Sequence, residues 1–210
     1  MPDSTFNDDL NNEAKLASCL DKIYAEVFKD SDYQTERVAD LKEQHKGVDL
    51  ILSNSRKTFF VDEKAQLDYM NTSLPTFAFE LSYLKENNWH KGWFYDSSKI
   101  TDIYFLITDI HLIPFQPDSD FSKIKIIGVY RERLQDLLNS KGLNEVTLFQ
   151  KEKELREIGK DGRCRLEELN PKTEGVLFFS KNNKNEKPIN LVLKLDFLIR
   201  EKVGKIIYRK

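Results

Sequence analysis

Apolar and polar positions along the chain describe a helical opening, a series of strands and a mixed C-terminal third. Leu16, Leu20, Ile23 and Val27 recur at helical spacing with Ala17, Tyr24 and Phe28 beside them, which predicts a helix capped at Asn11 or Asn12 and running to about Phe28. Glu13 falls within this apolar stripe, whereas Glu26 falls opposite it beside Lys22 and Lys29. A polar stretch, KDSDYQTERVADLKEQHK, follows. Gly47 then opens a strand of about seven residues, and SNSRK turns it into a second strand from about Thr58 to Gln66. TFAFELSY reads as a third strand after Pro75, and SYLKENNWHKGWFYDSSKI as an aromatic-rich loop or short broken helix. TDIYFLITDIHLIPF reads as one long strand or two short ones, followed by a strand at KIKIIGVY, a helix over about 131–140, and strands at EVTLFQ and GVLFFS. INLVLKLDFLIREK fits helix and strand equally. The expected fold is α/β, a central mixed sheet flanked by helices with a β-rich C-terminal extension. The expected organisation is a loose N-terminus over 1–10, a core over 11–150, and an extension over 151–210 packed on the same domain.

The hairpin predicted over GVDLILSNSRKTFFVDEKAQ carries charges where burial is costly. Alternation puts Phe60, Asp62, Lys64 and Gln66 on one face of its second strand and Phe59, Val61, Glu63 and Ala65 on the other. The first strand is apolar on both faces except at Asp49, an isolated carboxylate that needs a partner. In a twisted hairpin Asp49 can lie near Asp62, and two ionised carboxylates at close range repel unless a proton or a cation sits between them. Oxygen ligands with no His or Cys cluster nearby favour Mg²⁺, which takes one or two carboxylates and keeps waters for substrate. Lys64, on the Asp62 face, would stand beside a bound water. The plainer alternative is a salt bridge from Asp62 or Asp49 to Lys64 with Glu63 solvated.

Composition narrows the setting. A chain of 210 residues, 40% apolar and 11% aromatic, can bury one well-packed core. No apolar run reaches membrane-spanning length and the first residues are acidic and polar, so a soluble cytoplasmic protein with no membrane partner is expected. Cys19 and Cys164 have neither disulfide-framework nor zinc-ligand spacing. Residues 1–120 carry 12 Lys and Arg against 22 Asp and Glu, and residues 121–210 carry 21 against 13, so the C-terminal half could face a polyanion.

The helix with an inward acid, then Gly47-Val48-Asp49 on a strand, a short turn, and Val61-Asp62-Glu63-Lys64 on the next strand resembles the PD-(D/E)xK, or restriction-endonuclease-like, nuclease superfamily. The resemblance covers residues 11 to about 110, with Val48 where the family motif usually has proline and no clear crossover helix after the third strand. It implies a restriction-endonuclease-like core and Mg²⁺- or Mn²⁺-dependent hydrolysis of DNA, with RNA the second choice, leaving a 5′ phosphate. It further implies that Asp49 and Asp62 bind the metal, that the Glu63 carbonyl adds a ligand, and that Lys64 assists the attacking water. Glu13 would be the helix acid and Gln66 the residue just past the lysine. Relatives that act as dimers leave a homodimer open.

Outlying candidates complete this reading. Glu80 shares its strand face with the small Ala78 and Ser82 and could supplement the metal site or be an ordinary paired carboxylate. Trp93 and Lys91, in the cluster with Trp89, His90 and Tyr95, could stack on bases and meet phosphate or could be packed aromatics. Arg37 could reach the active site or the DNA backbone. His45 and His111 take no role. Two other classes remain: a nuclease-like fold that binds nucleic acid or a protein partner without cutting, and an unrelated α/β protein with an ion-paired core strand.

Overall fold

The computed structural model describes residues 3–113, 121–182 and 185–210, with side chains from Ala14 onward. In chain order the elements are α1 (Asp3–Val27), β1 (Gln34–Arg37), α2 (Leu41–His45), β2 (Leu50–Ser53), β3 (Thr58–Ala65), β4 (Thr76–Lys85), β5 (Asn88–Lys91), β6 (Ile103–His111) and β7 (Lys123–Tyr130). They continue with α3 (Arg131–Ser140), α4 (Glu145–Ile158), β8 (Gly162–Cys164), β9 (Gly175–Phe179), β10 (Ile189–Lys194), α5 (Leu195–Arg200) and β11 (Gly204–Arg209). A 3₁₀ turn at Leu67–Tyr69 follows β3. The fold is mixed α/β and built as two compact units, one of Met1–Leu74, Thr101–Val129 and Lys205–Lys210, the other of Pro75–Ile100 and Tyr130–Gly204. Among the described residues no helix is long and apolar enough to cross a membrane.

The first unit holds a six-stranded sheet in the order β1-β2-β3-β6-β7-β11. β2 pairs antiparallel with β3, Leu50 opposite Val61, and β3 pairs parallel with β6, Asp62 opposite Tyr104 and Lys64 opposite Leu106. The apolar stripe of α1, Leu16, Leu20, Ile23 and Tyr24, packs with Val61, Ile103, Phe105, Ile107, Ile124 and Ile126. Each such fully buried side chain is worth about 1.5–3 kcal/mol. Strand alternation therefore assigns Asp62 and Lys64, with Tyr104 and Leu106 beside them, to the face away from α1.

The second unit holds a five-stranded sheet in the order β5-β4-β10-β9-β8, in which every pairing is antiparallel. Phe79 of β4 centres its aromatic core, with ring centroids 5.3 Å from Phe94, 5.6 Å from Trp93 and 5.7 Å from Phe77. After β5 the chain turns close under β4 at Gly92, where a Cβ would lie 2.4 Å from the Glu80 carbonyl oxygen.

Several expected elements take a different form. TFAFELSY is a strand, but β4 lies between β5 and β10 in the second sheet, and the strand beside β3 is β6. A parallel neighbour for β3 needs a long crossover, and residues 66–102 provide it. The loop expected after β4 forms the β4–β5 hairpin, and the polar stretch before Gly47 contains β1 and α2. EVTLFQ is not a strand: Asn144 caps α4 by accepting from Thr147 N at 2.9 Å, and the helix runs to Gly159, whose φ of 65° ends it in the left-handed region. INLVLKLDFLIREK contains both candidates, strand β10 and then helix α5. α1 begins at Asp3, not at the Asn11 or Asn12 cap.

Candidate functional site

Asp62 sits on β3 with strands hydrogen-bonded on both sides, and is 2% exposed. Its Oδ1 accepts from Lys64 Nζ at 2.6 Å, the i, i+2 neighbour that alternation places on the same face. Its Oδ2 is buried and has no hydrogen-bond partner among the described residues. Lys64 is 28% exposed, so its ammonium stands at the border between solvent and this carboxylate.

Asp49 extends the β2–β3 ladder just before Leu50, its N–H donating to the Val61 carbonyl at 2.9 Å. Its Oδ2 accepts from the Glu63 N–H at 2.8 Å, and its carboxyl group is within hydrogen-bonding reach of Asp62. Burial is the main cause that pushes the Asp49 carboxyl up to about 6; the Glu63 N–H pulls it down, the neighbouring Asp62 charge pushes it up, and the Lys64 ammonium opposes that push. The expected approach of Asp49 to Asp62 is present.

Glu63 points to the α1 side. Its Oε1 accepts from the Tyr24 hydroxyl at 2.6 Å and its Oε2 from Arg37 Nη1 at 2.7 Å, with Arg37 Nη2 3.3 Å from Oε1. Arg37 Nε donates in turn to Asp21 Oδ1 at 2.7 Å. Glu63 is therefore not a solvated bystander; its side chain is 12% exposed and clamps β3 to α1 and β1. In an extended strand the N–H and C=O of one residue face the same edge. The Glu63 N–H reaches Asp49, so its carbonyl also faces the Asp49 edge, beyond the last β2–β3 pair.

Asp49, Asp62, Lys64 and the Glu63 carbonyl thus come together on one end of one hairpin. The side chain of Glu13 lies outside the described residues, and α1 packs on the Glu63 side of the sheet, not the Asp62 side. Gln66 follows the end of β3, its N–H still donating to the Ile107 carbonyl at 3.0 Å, and the chain enters the 3₁₀ turn just beyond it. Glu80, Lys91 and Trp93 belong to the second unit. Lys91 Nζ pairs with Glu145 Oε1 at 2.6 Å, and Trp93 packs in the aromatic core with Phe79 and Phe94. Arg37, expected at DNA or the active site, is taken up by Glu63 and Asp21. The clamp was not foreseen, although Tyr24 in the helix stripe and Glu63 on the apolar side of its strand were its signals.

Among the described residues no group of three or more His, Cys, Asp or Glu side chains is placed to hold a metal ion. The donor set is instead two carboxylates and a main-chain carbonyl, within the range Mg²⁺ uses when it keeps waters and substrate oxygens. The Asp62 Oδ2, with no hydrogen-bond partner among the described residues, is the atom on which the fit rests: once Asp49 is ionised, a hard cation would supply what the proton of a neutral Asp49 otherwise could. No family model, curated protein or solved structure matches the chain.

Proposed function

We propose that this chain is a nuclease of restriction-endonuclease-like architecture that hydrolyses DNA phosphodiester bonds with Mg²⁺ or Mn²⁺. The observation that carries the reading is the buried Asp62 carboxylate beside Asp49, with one oxygen on Lys64 and the other without a donor among the described residues. Asp49 and Asp62 would hold the ion, with the Glu63 carbonyl as a third protein ligand. A divalent cation bound there would relieve the repulsion between the carboxylates, polarise the phosphodiester and make a water more acidic. Lys64, whose ammonium donates to Asp62 Oδ1 and is partly exposed, would orient the attacking water and offset charge growing on the phosphoryl oxygens. The Glu63 N–H holds Asp49 in place for this task.

Hydrolysis of plasmid and single-stranded DNA in Mg²⁺ or Mn²⁺ tests the reading. Asp49→Asn, Asp62→Asn and Lys64→Ala are each expected to lower the rate by roughly 100-fold or more, and a chelator to abolish it. Cleavage that persists unchanged in these variants contradicts the assignment. The Asp62–Lys64 ion pair also supports a second reading, a nuclease-like fold that binds nucleic acid without cutting, because it neutralises Asp62 without a cation. On that reading Mn²⁺ produces no Asp49-dependent rise in melting temperature.

A further inference from the structure

The face that carries Asp62 and Lys64 continues across β6 and β7. Ile124 and Ile126 belong to the α1-side core, so Lys123 and Lys125 lie on the Asp62 side of the sheet. Asp109 joins them there, its Oδ2 3.5 Å from both Lys123 Nζ and Lys125 Nζ. It reaches that face through a break in β6: its φ is 53°, in the left-handed region that a non-glycine residue occupies at a cost of about 1–3 kcal/mol, and Ile110 then returns to the α1-side core. Ser73 completes the group. Its Oγ accepts from Lys123 Nζ at 2.8 Å, lies 3.2 Å from His111 Nε2 and hydrogen-bonds Asp109.

Neither lysine is saturated by these partners. Each ammonium has three donors, and both share one Asp109 oxygen at 3.5 Å, well beyond the usual 2.7–2.9 Å of a charge-assisted bond. Among the described residues the cluster sets one carboxylate against two ammonium groups, a net positive charge. Lys123 is 43% exposed, so a ligand can reach it. Leu106 is paired with Lys64, and Asp109 lies three residues further along β6, about 10 Å on at the usual strand rise. That separation suits a neighbouring phosphate of a bound strand, not the scissile one.

Resting on the nuclease reading, we infer that Lys123, Lys125, Ser73 and His111 form a phosphate-binding subsite for the DNA backbone leading to the Asp49–Asp62 centre. Asp109 is its positioning residue: the carboxylate tethers both ammonium groups on the site face and leaves their remaining donors for phosphate oxygens.

Fluorescence anisotropy of a labelled single-stranded DNA and of its duplex, in chelator over a salt series, tests the inference. Lys123→Ala, at an exposed side chain, and Lys125→Met, which keeps the buried stem, are each expected to weaken binding roughly three- to tenfold. Each should also lower the slope of log affinity against log salt by about 0.7 for the single strand and about 0.9 for the duplex. Lys57→Ala, exposed in the turn between β2 and β3, should change neither. Wild-type affinity and slope in both Lys123→Ala and Lys125→Met overturn the subsite, as does a wild-type protein that does not bind DNA. The nuclease reading is scored separately by the Asp49-dependent Mn²⁺ shift in melting temperature, which these lysine variants should retain.

Discussion

At Asp62 a carboxylate is almost fully removed from water, yet among the described residues only one of its oxygens is given a donor. Burying half-satisfied charge is expensive, and Asp49 adds a second carboxylate at hydrogen-bonding range. The cost falls on the ionised form of Asp49, raised to about 6 from an ordinary value of 3.8 by burial first, with the Asp62 charge pushing the same way and the Glu63 N–H and Lys64 opposing. A raised folded-state value means that the stabilisation is complete below the unfolded value and is lost as pH rises through the folded one. Metal-free protein should therefore lose melting temperature between about pH 4 and pH 7 more steeply than Asp49→Asn, which has no charge to acquire there. Mn²⁺ should oppose that loss, so its stabilising shift grows over the same interval. Parallel pH profiles for the two proteins would show that Asp49 ionisation is not opposed by its surroundings. The carboxylate pair was legible in the sequence because strand alternation and one misplaced acid suffice to find it. The Asp109 cluster was not, because its geometry depends on a left-handed break in β6 that no glycine announces.

At the scale of elements, β3 is held from both faces: Lys64 and Asp62 on one, and Tyr24 and Arg37 through Glu63 on the other. α1 thus does more than cover the core; its Tyr24 hydroxyl anchors the residue whose main chain holds Asp49. Tyr24→Phe leaves the half-buried Glu63 carboxylate short of one donor and should cost about 1.5–3 kcal/mol in urea unfolding, the range for a hydrogen bond to a charged group. A loss below about 0.5 kcal/mol would mean that Arg37 alone satisfies Glu63. The hairpin and most strands follow from periodicity, but the sheet each strand joins does not. TFAFELSY alternates like any half-buried strand, while its partner β10 lies more than a hundred positions along the chain. In EVTLFQ the β-forming Val146 and Phe149 are exposed, so their bulk carries no packing information, and the Asn144 cap with Gly159 fixes the helix.

The whole chain is two compact units, and the proposed chemistry lies in the one assembled from the first 74 residues, the β6–β7 segment and the C-terminal strand. That unit was visible in part: the order of helix, hairpin and later strand survives, but Pro75–Ile100 leaves it to build the second sheet. Composition has no signal for such an excursion, since both units need the same alternating strands. The charge asymmetry between the two parts of the sequence also does not map onto the units, because the basic β7 is paired with β6 in the sheet that carries Asp49 and Asp62. The most direct test of the central claim is an anomalous difference map from crystals of the protein soaked in Mn²⁺. One peak in contact with the carboxylates of both Asp49 and Asp62 is expected. A map with no Mn²⁺ at these carboxylates, and Lys64 still on Asp62, would contradict it.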